Sequence, residues 1–154
     1  MEEDLRTSLN SKSGQTEKNT IYLAYGSNID EMQMQERCPE SVKREIIVLP
    51  RYEFFINGRG VATIRKQKEK CVYGVTYEIS RDDEARLDRY EGVGKNIYRK
   101  EICSGMLIYI ASDSSEGSPR NGYMEKIIAN ARKHMFPQEY IHELETWLSD
   151  KQCK

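Results

Sequence analysis

The clearest signal along the chain is alternation. In "KCVYGVTYEIS" the residues Cys71, Tyr73, Val75, Tyr77 and Ile79 fall on one side of an extended backbone, the period of two that marks a strand. Ile21 to Tyr25 forms another β-prone run. "EIIVLPRYEFFINGRGVATIRKQ" predicts strands joined by a turn at Asn57-Gly58, and "YRKEICSGMLIYIAS" predicts a hairpin about Ser104-Gly105. Between these runs the period lengthens. "NIDEMQMQERCPES" predicts a short helix that stops before Pro39, with Ser27, Asn28 or Asp30 as its cap. Ser80 caps "RDDEARLDRY", whose acidic first turn suits the positive end of the helix dipole and whose end is marked by Gly92. "GYMEKIIANARKHM" is helical, and Pro137 opens a last helix. There Tyr140, Ile141, Leu144, Trp147 and Leu148 keep helical spacing and form a core-packing stripe. The run "RKQKEK" at 65–70 reads as a solvated hairpin end.

Strands in succession, with short helices between them, define an α+β domain with a curled sheet flanked by helices. It is expected to fill residues 20–150. Residues 1–19 hold few large apolar residues, Met1, Leu5 and Leu9, and read as a disordered tail.

Composition narrows the chemistry by exclusion. With 24 basic and 25 acidic side chains, the net charge of −1 gives no electrostatic footprint for nucleic acid or an anionic membrane. No apolar run reaches the length of a membrane span, and the acidic N-terminus lacks a signal-peptide core, so a cytoplasmic protein is expected. Cys38, Cys71, Cys103 and Cys153 show no CxxC pairing, and His134 and His142 lie too far apart for a two-ligand face. Neither a disulfide framework nor a metal site is therefore expected. GxxxxGK[ST], HExxH and GxSxG are all missing.

Two features remain as candidate chemistry. "IYLAYGSNID" runs from a strand into Gly26, Ser27 and Asn28, where main-chain N–H groups are left to hold a carboxylate or a phosphate; an ordinary capped turn is the alternative reading. Glu91 stands where a helix gives way to the glycine-rich turn of "LDRYEGVGKNIY". In a dry cavity its pKa would rise toward the range useful for proton transfer; on an open surface it would be a solvated acid.

The pieces "YLAYGSN", "GVATI", "YGVTYEI", "LDRYEGV…Y" and "SPRNGYMEKIIANARKHMFPQEYIHEL", in that order, resemble the γ-glutamylcyclotransferase family from about residue 21 to 148. The resemblance implies a small mixed barrel flanked by helices and release of 5-oxoproline from a γ-glutamyl compound without a cofactor. It implies Glu91 as the acid/base and Tyr25, Gly26, Ser27, Asn28 and Ile29 as the substrate-binding loop. Tyr98, Tyr123 and Tyr140 match family positions on or near the pocket. The implied partner is a small γ-glutamyl substrate, with no nucleic acid or membrane, and a homodimer is left open. A γ-glutamyl dipeptide leads as substrate because of YGSN. A γ-glutamylamine, a γ-glutamyl-protected biosynthetic intermediate, and a binding module without turnover are the alternatives. Arg59, Arg65 and Lys95 are candidates to meet an acceptor carboxylate. The compact stretch from Tyr98 to Ser112 leaves acceptor-side specificity open.

Overall fold

The computed structural model describes residues 19–152, without the side chains of 149–152. The expected tail falls outside the described residues except for Asn19, whose amide donates to Glu78 Oε2 at 3.0 Å. Five strands form one mixed sheet: β1 (Thr20–Ala24), β2 (Val42–Ile56), β3 (Ala62–Ile79), β4 (Tyr98–Cys103) and β5 (Met106–Ala111). The order across the sheet is β2-β3-β1-β5-β4. Strand β1 is antiparallel to β3, with Tyr22 opposite Tyr77, and parallel to β5, with Tyr22 opposite Leu107. The helices are α1 (Glu31–Arg37), α2 (Arg81–Tyr90), α3 (Tyr123–Lys133) and α4 (Gln138–Gln152), with 3-10 turns at Ser27–Ile29 and Val93–Lys95.

Local chemistry accounts for the element ends. Of the three candidate caps, Asp30 takes the role for α1, accepting from the N–H groups of Met32 at 3.0 Å and Gln33 at 3.5 Å. Ser80 Oγ caps α2 through the Asp83 N–H at 3.0 Å. Gly92, at φ 67°, ends that helix in the left-handed conformation that glycine adopts without penalty. Ser104 and Gly105 both have positive φ, which gives the β4–β5 hairpin its tight turn.

Two expectations need correction. Residues 65–70 are not a hairpin end. They lie within β3, at a break in register where Tyr52 opposes Lys66 but Pro50 opposes Cys71. Four residues of β3 therefore face one of β2, Arg51, which takes φ 70°. The extra chain bulges into solvent, which is why it carries charge. The alternating run 71–79 is also not one-sided: Val72 and Thr76 are as buried as Val75, Tyr77 and Ile79. The sheet is covered on both faces there, and Thr76 is tolerated because its hydroxyl donates to the Glu45 carbonyl at 2.9 Å.

The core gathers Leu23, Ile29, Met34, Phe55, Ile56, Leu87, Ile108, Met124, Ile127 and Leu144, all fully buried. Met124, Ile127, Ile128 and Ala131 give α3 one buried face. Tyr140, Ile141 and Leu144 are buried as the helical stripe predicted, with Trp147 and Leu148 packed against the same core. Each such side chain contributes about 1.5–3 kcal/mol when withdrawn from water. His134, at the end of α3, sits 2.6 Å through Nε2 from the Ile29 carbonyl. It thereby ties the helical layer to the loop after β1.

Candidate active site

The topology brings five element ends to one end of the sheet. Strand β1 finishes there, parallel β5 finishes there and β4 begins there, and the long β3 curls round so that its start reaches them, the Ala62 carbonyl accepting from Tyr98 Oη at 2.6 Å and Thr63 Oγ1 from the Ala111 N–H at 2.9 Å. Helix α2 ends at the same place, with Glu91 as its last cap residue. A narrow cavity of about 40 Å³ lies between them, lined by Tyr25, Gly26, Ser27 and Asn28 of the loop after β1 and by Glu91, Tyr98 and Tyr123. Tyr22, Ala62 and Tyr109 line it too. It has room for roughly three or four water molecules, the scale of a short aliphatic chain with polar ends.

The loop is fixed from below by its own side chains. Asn28, buried, donates through Nδ2 to Tyr22 Oη at 3.0 Å. Its Oδ1 accepts from Gln33 Nε2 at 2.9 Å and from Arg37 Nη1 at 3.2 Å. Its carbonyl accepts from Tyr77 Oη at 3.0 Å. Gln33 also donates to Ser27 Oγ at 2.9 Å and is held in turn by Lys126 at 3.0 Å. Asn28→Ala removes three of these bonds and leaves buried polar partners unmet, a cost of about 1–3 kcal/mol. The expected result, read in a urea melt, is a folded protein less stable by that amount.

Glycine at 26 is explained by close approach. A Cβ there would stand 3.3 Å from the Ala62 side chain and 3.7 Å from Tyr123 Oη, narrowing the cavity. The backbone bonds of the loop divide it. The Ile29 N–H is spent on the Gly26 carbonyl at 3.2 Å, closing the 3-10 turn, whereas among the described residues the N–H groups of Gly26, Ser27 and Asn28 have no backbone partner. The anion cradle thus comprises at most three amides, and Ile29 contributes a buried side chain and a carbonyl to the scaffold. Tyr140 is also placed away from the cavity: its ring packs 5.1 Å from Tyr73 and 6.0 Å from Phe136.

The hydroxyls divide by what they have left to offer. Tyr98 Oη donates to the Ala62 carbonyl at 2.6 Å, and Tyr25 Oη to the Tyr109 carbonyl, so both face the cavity as acceptors, Tyr25 sharing its oxygen with Thr63. Tyr123 Oη accepts from the Ala62 N–H at 2.9 Å, and Tyr22 Oη accepts from Asn28, so each keeps a proton to donate. Tyr109 Oη donates to Asp88 Oδ1 at 2.7 Å, one turn before Glu91 on α2. Burial raises the pKa of Tyr22, Tyr25, Tyr98 and Tyr109, and holds Tyr123 at about 12. All five hydroxyls stay protonated at neutral pH.

Glu91 differs from them. Its carboxyl makes no hydrogen bond or ion pair among the described residues, and desolvation pushes its pKa up to about 7, opposed weakly by the Arg37 charge. A carboxyl beside a small polar cavity, half-protonated at neutral pH, can take a proton and return it. Around it stand donors (Tyr22, Tyr123, the three amides) and acceptors (Tyr25, Tyr98), the complement that a group carrying both an ammonium and a carboxylate requires.

Sequence reasoning missed Tyr22, Tyr109 and Arg37. The first two are strand residues whose pattern read only as core. Of the cations it offered, Arg65 lies over the Phe55 ring and is bound to Glu53 and Glu116, and neither Arg59 nor Lys95 lines the cavity.

This combination, a curled α+β sheet whose strand ends enclose one elevated carboxyl and a ring of neutral tyrosines, defines a small acid/base site. A model of the AIG2-like family matches residues 71–144. The chain is 27% identical to mouse γ-glutamylcyclotransferase over 152 residues, covering 85% of this chain and 80% of that one. A solved γ-glutamyl cyclotransferase superposes with a TM-score of 0.73 at 22% identity, over 83% of this chain and 87% of the other. An uncharacterized human protein gives 0.71 at 24%, over 84% and 88%. Residues 71–144 thus match the AIG2-like family, and the chain resembles γ-glutamylcyclotransferases in sequence and shares their fold.

Proposed function

We propose that the protein is a γ-glutamyl cyclotransferase that releases 5-oxoproline and a free amine or amino acid. The observation that carries the reading is Glu91: an unpaired carboxyl, raised to about 7, facing a narrow cavity lined by tyrosines and by the loop after β1. In this reading the substrate's α-amine attacks its own γ-carbonyl. The nucleophile is already attached, so the protein's main contribution is to hold the chain bent into attack geometry. Tyr98 and Tyr25 oxygens receive the ammonium, while Tyr22, Tyr123 and the Gly26–Asn28 amides face the anionic oxygens.

Glu91, as carboxylate, takes a proton from the ammonium and so frees the lone pair that forms the new C–N bond. It then gives that proton to the departing nitrogen as the old C–N bond breaks, so the carboxyl is regenerated each cycle; the second proton shed by the ring nitrogen goes to the amine once it is released. Unpaired Cys38, Cys71 and Cys103 are consistent with a reducing, cytoplasmic setting. No described helix is long and apolar enough to cross a membrane.

The test is 5-oxoproline release, by mass spectrometry, from γ-glutamyl amino acids, γ-glutamyl-lysine isopeptide, glutathione and γ-glutamyl amines. Release from at least one is expected. The carboxylate is the base, so kcat/KM should rise with pH through about 7 as Glu91 ionises. Folded protein that releases 5-oxoproline from none of them would overturn the reading.

A further inference from the structure

The cavity is narrow, about 40 Å³, so in the cyclotransferase reading the group attached to the glutamyl chain extends beyond it. One cationic groove is linked to its wall by a hydrogen bond. Glu36, Arg37, Pro39, Arg86, Arg89 and Tyr90 line a depression of about 470 Å³ between α1 and α2. Two of these residues make the join. Arg37 reaches the cavity wall through its bond to Asn28, 3.2 Å, and Tyr90 directly precedes Glu91.

The groove is cationic and partly pre-ordered. Arg37 lies over the Tyr90 ring, 4.7 Å from its centroid, and that contact with Asn28 and Tyr90 sets the guanidinium plane. Arg86 is fixed by the buried Asp83 at 2.7 Å, which answers its charge. Arg89 is exposed and makes no hydrogen bond or ion pair among the described residues. Glu36 is the one acid on the rim. Two guanidiniums are therefore left to engage a ligand, one at the cavity mouth and one further out. A planar fork of donors suits a carboxylate better than a point charge does.

We infer that this groove is the acceptor subsite and that it selects γ-glutamyl compounds whose released amine carries two anionic groups, as an acidic amino acid does. The α-carboxylate next to the scissile nitrogen meets Arg37, and the side-chain acid meets Arg89. This rests on the cyclotransferase reading of the cavity and adds the substrate class.

The experiment compares kcat/KM for γ-glutamyl-glutamate, γ-glutamyl-alanine and γ-glutamyl-methylamide in wild type, Arg89→Gln and Arg89→Glu. Arginine Nε NMR signals are followed during titration with the same compounds. The wild type should prefer the acidic acceptor. Losing one charge-assisted contact should cut the acidic-to-neutral ratio about tenfold in Arg89→Gln, and Arg89→Glu should invert it. Because Arg89 is exposed on α2, both variants should fold, which circular dichroism checks.

Turnover without acceptor preference, or a preference that Arg89→Gln leaves unmoved, overturns the inference while the reaction stands. If nothing is turned over but Arg37 and Arg89 signals shift with γ-glutamyl-glutamate and not with the methylamide, the acceptor site stands and the reaction assignment falls. No turnover and no shift would dispose of both.

Discussion

Glu91→Gln is expected to lower turnover by roughly 10²–10⁴-fold and, at the same time, to make the protein more stable above neutral pH. The amide has the size of the acid but cannot accept a proton, so cyclisation loses its base while the cavity keeps its shape. The stability effect follows from the same burial. The carboxyl's pKa is raised from 4.5 to about 7 in the folded state, so between those values the native protein holds a proton that the unfolded chain does not. The contribution of Glu91 to stability is fully present below pH 4.5 and is lost as pH rises through 7. At about 1.4 kcal/mol per unit, the loss amounts to roughly 3 kcal/mol. Urea melts at pH 5 and pH 8 should show the stability gap between variant and wild type moving in favour of the variant by that order. An unchanged gap would mean that the carboxyl is solvated, and undiminished turnover would remove Glu91 from the chemistry.

The second large effect is expected from Gly74→Ala, far from the cavity in sequence. Gly74 faces Ile47 of β2 in register. A Cβ at that position would stand 2.5 Å from the carbonyl oxygen of Ala24 and 2.7 Å from Leu23 Cδ1. The first obstacle is backbone of the central strand and cannot swing aside as a side chain can. Overpacking of this kind costs about 1–3 kcal/mol, and the upper part of that range applies because β1 itself must shift. Ala24 is two residues before Gly26, so the displacement is delivered to the loop that forms one wall of the cavity. Denaturant melts should show the lost stability, and kcat/KM should fall beyond what the unfolded fraction explains. Wild-type stability in this variant would show that β1 and β3 can separate at no cost, contrary to the packing described.

These two substitutions mark how the site is built. Glu91 is a local feature, a carboxyl placed by the stop signal of its own helix, with Gly92 turning the chain away at once. Gly74 matters only because β3 pairs beside β1. The loop between them depends on both kinds of information. Its strand and the small residues after it are local, but its rigidity comes from Tyr77 on β3, Lys126 on α3 and His134 beyond it, each reaching the loop from a distant part of the chain.

The sequence by itself determined the strand runs, the helix cap at Ser80, the glycine turns, the apolar stripe of the last helix and the candidacy of Glu91, and it narrowed the cap of the first helix to three residues. Those are short-range matters, governed by backbone conformation and the periods of side-chain burial, and they are written in adjacent residues. It did not determine that β1 is central, that residues 65–70 bulge from the middle of a strand, or that Tyr140 packs away from the cavity while Tyr22 and Tyr109 line it. Tyrosine is equally suited to a core and to a site wall, and only the surrounding packing decides which way its hydroxyl faces. The same holds for charge. Arg65 and Arg89 are alike in sequence, yet tertiary structure surrounds one with carboxylates and leaves the other open in the groove between α1 and α2, because electrostatic neighbours are set by distance in space.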